Sequence, residues 1–132
     1  MNSRDKGKRG ERQWRDELRA NGYAARRGQQ FSGSPDSPDV VCDALPWIHF
    51  EVKAVERLNV QDAMDQAIRD SVRVGPGGHR VPIVAHKRGF RRWLVTMEAE
   101  TFFQFLRGTL PPERTGAERQ EPNRTETGDK QT

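Results

Sequence analysis

The chain has 132 residues and a net charge of +4, with 33% hydrophobic residues, 32% charged residues and one cysteine, Cys42. This composition predicts one domain, or one domain plus a tail, with a modest core that subunit association could complete, and it excludes a disulfide framework and a zinc-site spacing. No apolar run approaches the roughly 20 residues of a membrane span, so we expect a cytoplasmic protein with no membrane partner.

The positive charge is concentrated at the N-terminus. Residues 1–30 contain nine Lys or Arg and four Asp or Glu, whereas residues 31–108 contain ten of each kind and residues 109–132 carry −1. An excess of this kind suits a polyanionic partner such as nucleic acid. A solvated basic helix face would give the same counts, so charge alone leaves both interpretations open.

The first predicted helix covers residues 9–20, after a polar, basic segment of residues 1–8 that we expect to be mobile until it meets a partner. Asn21-Gly22 forms a good C-terminal stop signal for this helix. Glu11 lies three residues before Trp14 and therefore continues the core-facing stripe. A carboxylate in that stripe indicates a function at the helix start, and the alternative is a first-turn Glu favoured by the helix dipole.

Two short strands follow, at residues 23–27 and 39–42, separated by a polar loop of residues 28–38 that is long enough to be functional. Cys42 belongs to the second of these strands and is predicted to be buried. The next strand, residues 47–54, alternates between two faces. One face carries Ile48, Phe50, Val52 and Ala54, and the other carries Trp47, His49, Glu51 and Lys53.

The second half predicts a helix over residues 60–72 with Asn59 as its N-cap and a buried stripe of Val60, Met64, Ala67, Ile68 and Val72. Its Gln66 either points toward Lys53 or is an ordinary exposed residue. Strands at residues 81–87 and 92–97 form a predicted hairpin about Arg88-Gly89-Phe90. A helix over residues 98–106 carries more apolar surface than one core stripe requires, so it either packs deeply or meets another subunit. Residues 109–132 have the composition of a disordered tail, which leaves residues 1–108 as the domain.

The spacing of Asp39, Glu51 and Lys53 suits metal-assisted phosphodiester hydrolysis. Asp39 begins one short apolar strand, and Glu51 and Lys53 lie side by side near the end of the next. Carboxylates are hard oxygen ligands for Mg²⁺, and an adjacent ammonium can orient water or offset charge in the transition state. A surface Glu–Lys pair on a strand is the alternative interpretation, and such pairs are common.

These elements and motifs resemble the PD-(D/E)XK nuclease superfamily, whose motif is matched by Pro38, Asp39, Glu51, Val52 and Lys53. Within it, the chain resembles the archaeal-type Holliday-junction resolvases and their phage relatives over about residues 6–70. The matching segments are Arg9-Gly10-Glu11-Arg12, Asn21-Gly22-Tyr23, Arg26-Arg27, Phe31-Ser32-Gly33-Ser34, Pro38-Asp39-Val40-Val41 and Phe50-Glu51-Val52-Lys53. No counterpart is identified for the segments beyond residue 70.

The resemblance implies an α/β fold with a restriction-endonuclease-like core, in which helices flank a central mixed β-sheet, and a homodimer with two active sites. It implies Mg²⁺, with Mn²⁺ as a substitute, bound through Glu11, Asp39, Glu51 and the carbonyl of Val52, with Lys53 as the catalytic lysine alongside those three carboxylates. The candidate DNA-binding residues are Lys8, Arg9, Arg12, Arg26, Arg27, Ser32 and Ser34.

The implied function is a Mg²⁺-dependent endodeoxyribonuclease, most specifically a Holliday-junction resolvase. Such an enzyme cuts four-way DNA junctions by paired symmetric incisions during recombination, in the cytoplasm of a bacterium, an archaeon or a phage-infected host cell. Two alternatives stay open. One is a related nuclease that acts on flaps, ends or duplex DNA in phage packaging or restriction, and the other is a DNA-binding scaffold without catalysis.

Overall fold

A computed structural model describes residues 3–28, 39–72 and 79–111. The predicted loop with Ser32, Ser34 and Pro38, the Gly-rich segment of residues 75–78 and the tail from residue 112 lie outside the described residues. The helices and strands are, in chain order, α1 (Ser3–Ala20), β1 (Ala25–Arg27), β2 (Val40–Cys42), β3 (Ile48–Ala54), α2 (Val60–Ser71), β4 (Val81–Lys87), β5 (Leu94–Thr96) and α3 (Ala99–Arg107).

The strands form one mixed sheet in the order β1-β2-β3-β4-β5. β3 pairs in parallel with β4 from Ile48↔Val81 to Ala54↔Lys87, and the other pairs of neighbouring strands are antiparallel. A parallel pair requires a long crossover connection, and α2 supplies it. The α/β class with a central mixed sheet flanked by helices is therefore confirmed.

The alternation of β3 places α1 and α2 on opposite faces of the sheet. On one face, the rings of Phe50 and Trp14 in α1 meet edge to face with centroids 5.5 Å apart. On the other face, Lys53 Nζ donates to Gln66 Oε1 in α2 at 3.2 Å. Because successive side chains of a strand point to opposite faces, the predicted assignment of the Glu51 and Lys53 face is correct.

α1 begins earlier than predicted, at Ser3 rather than at residue 9. The expectation that residues 3–8 lack structure is therefore wrong. Asp5 lies in the first turn, where a negative charge interacts favourably with the helix dipole. Gly10, a poor helix former, is required by packing, because a Cβ at this position would lie only 2.9 Å from the Cβ of Ala54.

α2 has the predicted cap and part of the predicted buried stripe. The Asn59 side chain accepts a hydrogen bond from Asp62 N–H at 3.0 Å, which confirms the N-cap. Of the predicted stripe, Met64 and Ala67 are buried and Ile68 is partly buried, whereas Val60 and Val72 are 40% and 46% exposed. Ala63 and Ser71 complete the buried face. The small side chains let this helix approach the sheet closely, and Val60 and Val72 at its ends lie outside the contact with the sheet.

β4 and β5 form the predicted antiparallel hairpin, with Val84 opposite Thr96. β5 is shorter than predicted and covers Leu94–Thr96. The turn closes with a hydrogen bond from Arg91 N–H to the Arg88 carbonyl at 3.0 Å. Gly89 has a φ of +56°, a backbone conformation that residues other than glycine rarely adopt. Primed β-turns require a positive φ of this kind.

The chain separates into two compact units, Met1–Phe102 and Phe103–Thr132. The first unit contains the sheet, α1 and α2. The predicted division at residue 108 stays a prediction. The apolar residues Phe102, Phe103, Phe105 and Leu106 of α3 are exposed. Among the described residues, no helix is long and apolar enough to cross a membrane.

Candidate active site

Glu51 and Lys53 lie together on the α2 face of the sheet. Their side chains are 4% and 29% exposed, and Lys53 Nζ lies 3.8 Å from Glu51 Oε2. The same ammonium donates to Gln66 Oε1 at 3.2 Å, so Gln66 points toward Lys53, one of its two expected orientations. Lys53 is thus held between a carboxylate and an amide oxygen, and a buried carboxylate of this kind requires a charged or polar partner.

Asp39 precedes β2 and is held against β3 by its backbone and its side chain. Its N–H donates to the Phe50 carbonyl at 3.1 Å. Its Oδ2 accepts a hydrogen bond from Val52 N–H at 2.9 Å. Because the N–H and C=O of one strand residue point toward the same neighbouring strand, the Val52 carbonyl also faces the edge where Asp39 lies. The predicted ligands Asp39 and Val52 therefore meet where β2 and β3 diverge.

The carboxyl of Asp39 lies in an excess of negative charge. Burial is the main cause that raises its pKa, to about 7, and the charges of Glu51 and Glu11 raise it further. The hydrogen bond from Val52 and the charge of Lys53 act in the opposite direction without restoring an ordinary pKa. A cation at this position would therefore be stabilised by the carboxylates around it.

Glu11 comes from α1 and is fixed by Arg27 of β1. Arg27 Nε donates to Glu11 Oε1 at 3.1 Å, and both side chains are largely shielded from solvent. Arg27 was predicted to contact DNA, but it also orients a predicted metal ligand. Its neighbour Arg26 lies 3.5 Å from Asp43 in an exposed ion pair. Exposed pairs of this kind are weak, so Arg26 is available to a phosphate.

The remaining predicted DNA contacts on α1 are Lys8, Arg9 and Arg12. Arg9 and Arg12 are exposed and Lys8 is partly exposed. Arg9 lines a cleft of about 500 Å³ together with Lys6 and with Ala54 at the end of β3. The predicted contacts Ser32 and Ser34 lie outside the described residues.

A second ligand group lies behind Glu51. Among the described residues, the ligand atoms of His49, Glu51 and Asp70 lie within 4.8 Å of one another, and no other group of at least three such residues meets this distance. His49 is fully buried, neither ring nitrogen has a hydrogen-bond partner, and Nε2 lies 3.5 Å from Glu51 Oε1. Burial and the charge of Glu51 raise the pKa of Asp70.

Sequence reasoning missed this group, although two signals were present. His49 lies two residues before Glu51, so it shares its strand face. Asp70 lies four residues after Gln66 on α2, so the two side chains are neighbours on one helix face. Spacing along the chain does not reveal this group, because His49 and Asp70 come together only through the packing of α2 on β3.

The predicted ligands have the donor chemistry of a divalent metal site, although the ligand atoms of Glu11, Asp39 and Glu51 do not all lie within 4.8 Å of one another. Glu11, Asp39, Glu51 and the Val52 carbonyl offer oxygen atoms only, which is the donor set of Mg²⁺ and Mn²⁺. Burial is the main cause of the raised pKa of Asp39 and the nearby carboxylates add to it, so a bound cation would stabilise the ionised carboxylate. The His49 group adds a nitrogen donor, which suits Mn²⁺ and other transition metals better than Mg²⁺. Both groups include Glu51.

Lys53 opens onto a basic cleft that the sequence analysis did not predict. The cleft has a volume of about 310 Å³, and cationic side chains dominate its lining. These cations are Lys53, Lys87, Arg88, Arg91 and Arg92. His86 also lines it and accepts or donates a hydrogen bond with Thr96 Oγ1 at 2.8 Å, while burial lowers its pKa. A phosphate backbone in this cleft would pass directly beside Lys53.

Comparison with protein-family models, with curated proteins and with solved structures finds no match to this chain. The relation to the PD-(D/E)XK superfamily is therefore a resemblance in motifs and in the order of elements. A fold of this class hosts many activities, so the functional argument depends on the residues of the site.

Proposed function

We propose that this protein is a metal-dependent DNA endonuclease that hydrolyses phosphodiester bonds. The observation that carries the proposal is the hydrogen bond from Val52 N–H to Asp39 Oδ2 at 2.9 Å, which brings the carboxylate of one strand onto the edge of the next. On that next strand, Glu51 lies 3.8 Å from Lys53. A surface Glu–Lys pair would not require a buried Glu51 or a second carboxylate, Asp39, with a raised pKa.

Each residue of the site has a distinct part in this proposal. Asp39, Glu51 and the Val52 carbonyl would hold Mg²⁺ or Mn²⁺, with Glu11 completing the acidic environment. The ion, when bound, would lower the pKa of a water molecule and offset charge on the phosphate. Lys53, kept in place by Gln66, is positioned to orient the attacking water or to stabilise the developing negative charge.

DNA is the proposed substrate because positive charge surrounds the site on both faces of the sheet. Lys6 and Arg9 line one cleft, and Arg88, Arg91 and Arg92 line the cleft that contains Lys53. Contacts from such side chains neutralise phosphates and release counterions, so binding should weaken steeply as salt increases. The chain carries this surface even though its net charge is only +4.

A four-way junction is the proposed DNA structure, and a homodimer the proposed assembly. Resolving a junction requires two incisions on opposing strands, and this chain contains one candidate site. A C₂ dimer would place two copies of that site about the two-fold axis of the junction. The preference for junctions rests on the resemblance to the resolvases, whereas hydrolysis itself rests on the site.

The test is a gel assay of a four-way junction, a flap and a linear duplex of the same sequence with Mg²⁺, combined with light scattering. We expect a dimer that binds the junction more tightly than the duplex and releases nicked duplexes by paired incisions. Equal cleavage of junction and duplex, or a monomer in solution, would defeat the resolvase proposal and leave the general nuclease. Preference for the flap would favour the alternative class.

Glu11→Gln separates a metal ligand from a structural charge. The amide oxygen of Gln can still accept the hydrogen bond from Arg27 Nε, while the negative charge near Asp39 is lost. We expect cleavage to fall about 100-fold, with a change in the free energy of unfolding below about 1 kcal/mol. Glu17→Gln, an exposed position on the same helix, is the control. Normal cleavage with a lowered melting temperature would mean that Glu11 is structural.

A further inference from the structure

The turn between β4 and β5 presents an exposed aromatic ring among arginines. We call residues 88–92 the basic tip; it consists of Arg88, Gly89, Phe90, Arg91 and Arg92. Phe90 is fully exposed, more so than any other large hydrophobic residue among those described. A single exposed Phe needs no explanation by itself, but a ring flanked by three guanidinium groups is a combination suited to nucleic acid.

The base of the tip is anchored in the core. Lys87 Nζ lies 5.6 Å from the centre of the Trp93 ring, a cation–π contact across the hairpin. Trp93 packs on Trp14 with ring centroids 5.0 Å apart, and Trp14 packs in turn on Phe50 of β3. The tip therefore projects from a supported hairpin, so its residues are positioned before any ligand arrives.

The tip borders both basic clefts. Arg88, Arg91 and Arg92 line the cleft that contains Lys53. Phe90 and Gly89 line the other cleft, together with Lys6 and Arg9 of α1. A Cβ on Gly89 would lie 3.4 Å from Glu56 Oε2, which places the turn against the segment that follows β3. A DNA strand that reaches Lys53 along Arg88, Arg91 and Arg92 would therefore lie beside the turn whose exposed ring, Phe90, lines the neighbouring cleft.

We propose that Phe90 stacks on a DNA base whose face is exposed at a branch point, while Arg88, Arg91 and Arg92 bind the phosphates of the strand that enters the Lys53 cleft. This inference deepens the proposed function and rests on it for the identity of the substrate. It assigns recognition of branched DNA to a part of the chain outside the segments that resemble the resolvases.

Branched DNA is favoured over intact duplex by the requirements of stacking. An aromatic side chain gains from stacking only where a base offers a free face. Inside a duplex both faces of every base are covered, so insertion there requires unstacking and a kink. At a branch the terminal base pair of each arm can expose one face. The ring of Phe90 would cover that face without displacing a neighbouring base.

The decisive measurement is DNA binding in EDTA, because EDTA removes divalent metal ions and so prevents metal-dependent cleavage. The probes are a four-way junction with 2-aminopurine at the branch and a linear duplex of the same sequence. We expect Phe90→Ala to weaken junction binding about 10-fold or more and to abolish the change in 2-aminopurine fluorescence. Duplex binding should change less than 3-fold. Phe90→Trp should retain both junction signals because the indole also stacks.

Tyr23→Ala is the matched aromatic control. Tyr23 is an exposed ring just beyond the C-terminal end of α1, and the helix rises roughly 21 Å from Lys6 to Ala20. This variant should bind both probes normally. To test the charges, Arg88→Ala and Arg91→Ala should each weaken binding to both probes. Each should also reduce the slope of log affinity against log salt concentration by about one. Arg80→Ala, at the opposite end of β4, should leave the slope unchanged.

Unchanged junction affinity and fluorescence in Phe90→Ala would overturn the inference, and so would an equal loss of affinity for junction and duplex. These outcomes are separate from the proposed function. Stacking that depends on Phe90 in a protein that never cleaves DNA would defeat the nuclease proposal and leave this inference standing. A Phe90→Ala variant that cleaves and binds DNA normally would instead overturn this inference and leave the nuclease proposal standing.

Discussion

Replacing Asp39 by Asn is expected to reduce DNA cleavage by at least about 10³-fold, equivalent to roughly 4 kcal/mol of activation free energy. Asn can still accept the hydrogen bond from Val52 N–H through its amide oxygen, so the contact between residue 39 and β3 should persist. The lost quantity is the negative charge that would hold the metal ion. Single-turnover cleavage of a labelled junction in Mg²⁺ is the measurement.

DNA binding by Asp39→Asn should be retained, because the phosphate contacts come from other residues and one charge repelling the polyanion has been removed. Asp43→Asn is the matched control, since Asp43 lies four residues further along and makes an exposed ion pair with Arg26. It should cleave at the rate of the unaltered protein. A wild-type rate for Asp39→Asn under the same conditions would rule out a catalytic site at this position.

Local patterns were sufficient to predict most elements on which the candidate site is built. The alternation of residues 47–54 predicted which face of β3 carries Glu51 and Lys53, and strand geometry left no other arrangement. Asn59 was predicted as a cap from its position before a periodic segment. For Gln66 the sequence left two orientations open, and the hydrogen bond from Lys53 shows which of them the fold adopts.

Features that depend on contacts between distant elements were not predictable in this way. The early start of α1 was missed because Gly7 opposes a helix locally. Gly10 is explained only by its approach to Ala54, which is a tertiary contact. Likewise, Asp70 joins His49 and Glu51 only after α2 packs on β3.

The basic tip was missed for a different reason. Residues 31–108 contain equal numbers of acidic and basic residues, so their net charge predicted nothing. Four cations nevertheless occur between residues 87 and 92 with no acidic residue among them: Lys87, Arg88, Arg91 and Arg92. Charge summed over a long segment hides a local cluster, and the fold then directs that cluster toward Lys53.

Glu51 connects two possible ligand groups, and this sharing has a chemical consequence. One oxygen lies 3.8 Å from Lys53 and the other lies 3.5 Å from His49. A buried imidazole without hydrogen-bond partners offers a ring nitrogen to a metal ion. Glu51 therefore lies between a nitrogen ligand on one side and the ammonium of Lys53 on the other.

In the metal-free protein, the free energy of unfolding is expected to fall as the pH rises from about 4 to about 7. Asp39 has a pKa of about 7 in the folded state, against 3.8 for an ordinary Asp. Over that interval the folded state holds a proton that the unfolded state has already released. Because rising pH favours the state that binds fewer protons, the unfolded state becomes relatively more stable. The loss from this one group amounts to roughly 4 kcal/mol at most and is complete above pH 7.

Asp39→Asn removes this dependence, so it should be more stable than the unaltered protein at pH 8 and little different at pH 4. A difference of this size corresponds to a rise in melting temperature on the order of 10 °C for a domain of this length. Asp43→Asn, which is exposed, should show no such rise. Thermal unfolding in EDTA at pH 4, 6 and 8 measures the effect.

Adding Mg²⁺ at pH 8 should raise the melting temperature of the unaltered protein and of Asp43→Asn, because a ligand that binds only the folded state stabilises it. Asp39→Asn should respond much less, since it lacks the charge that the ion would neutralise. The same substitution is therefore expected to stabilise the protein and to abolish its activity. A variant that melts below the unaltered protein at pH 8 in EDTA would mean that Asp39 serves the fold, because a carboxylate kept for a cation must destabilise the protein when the cation is absent.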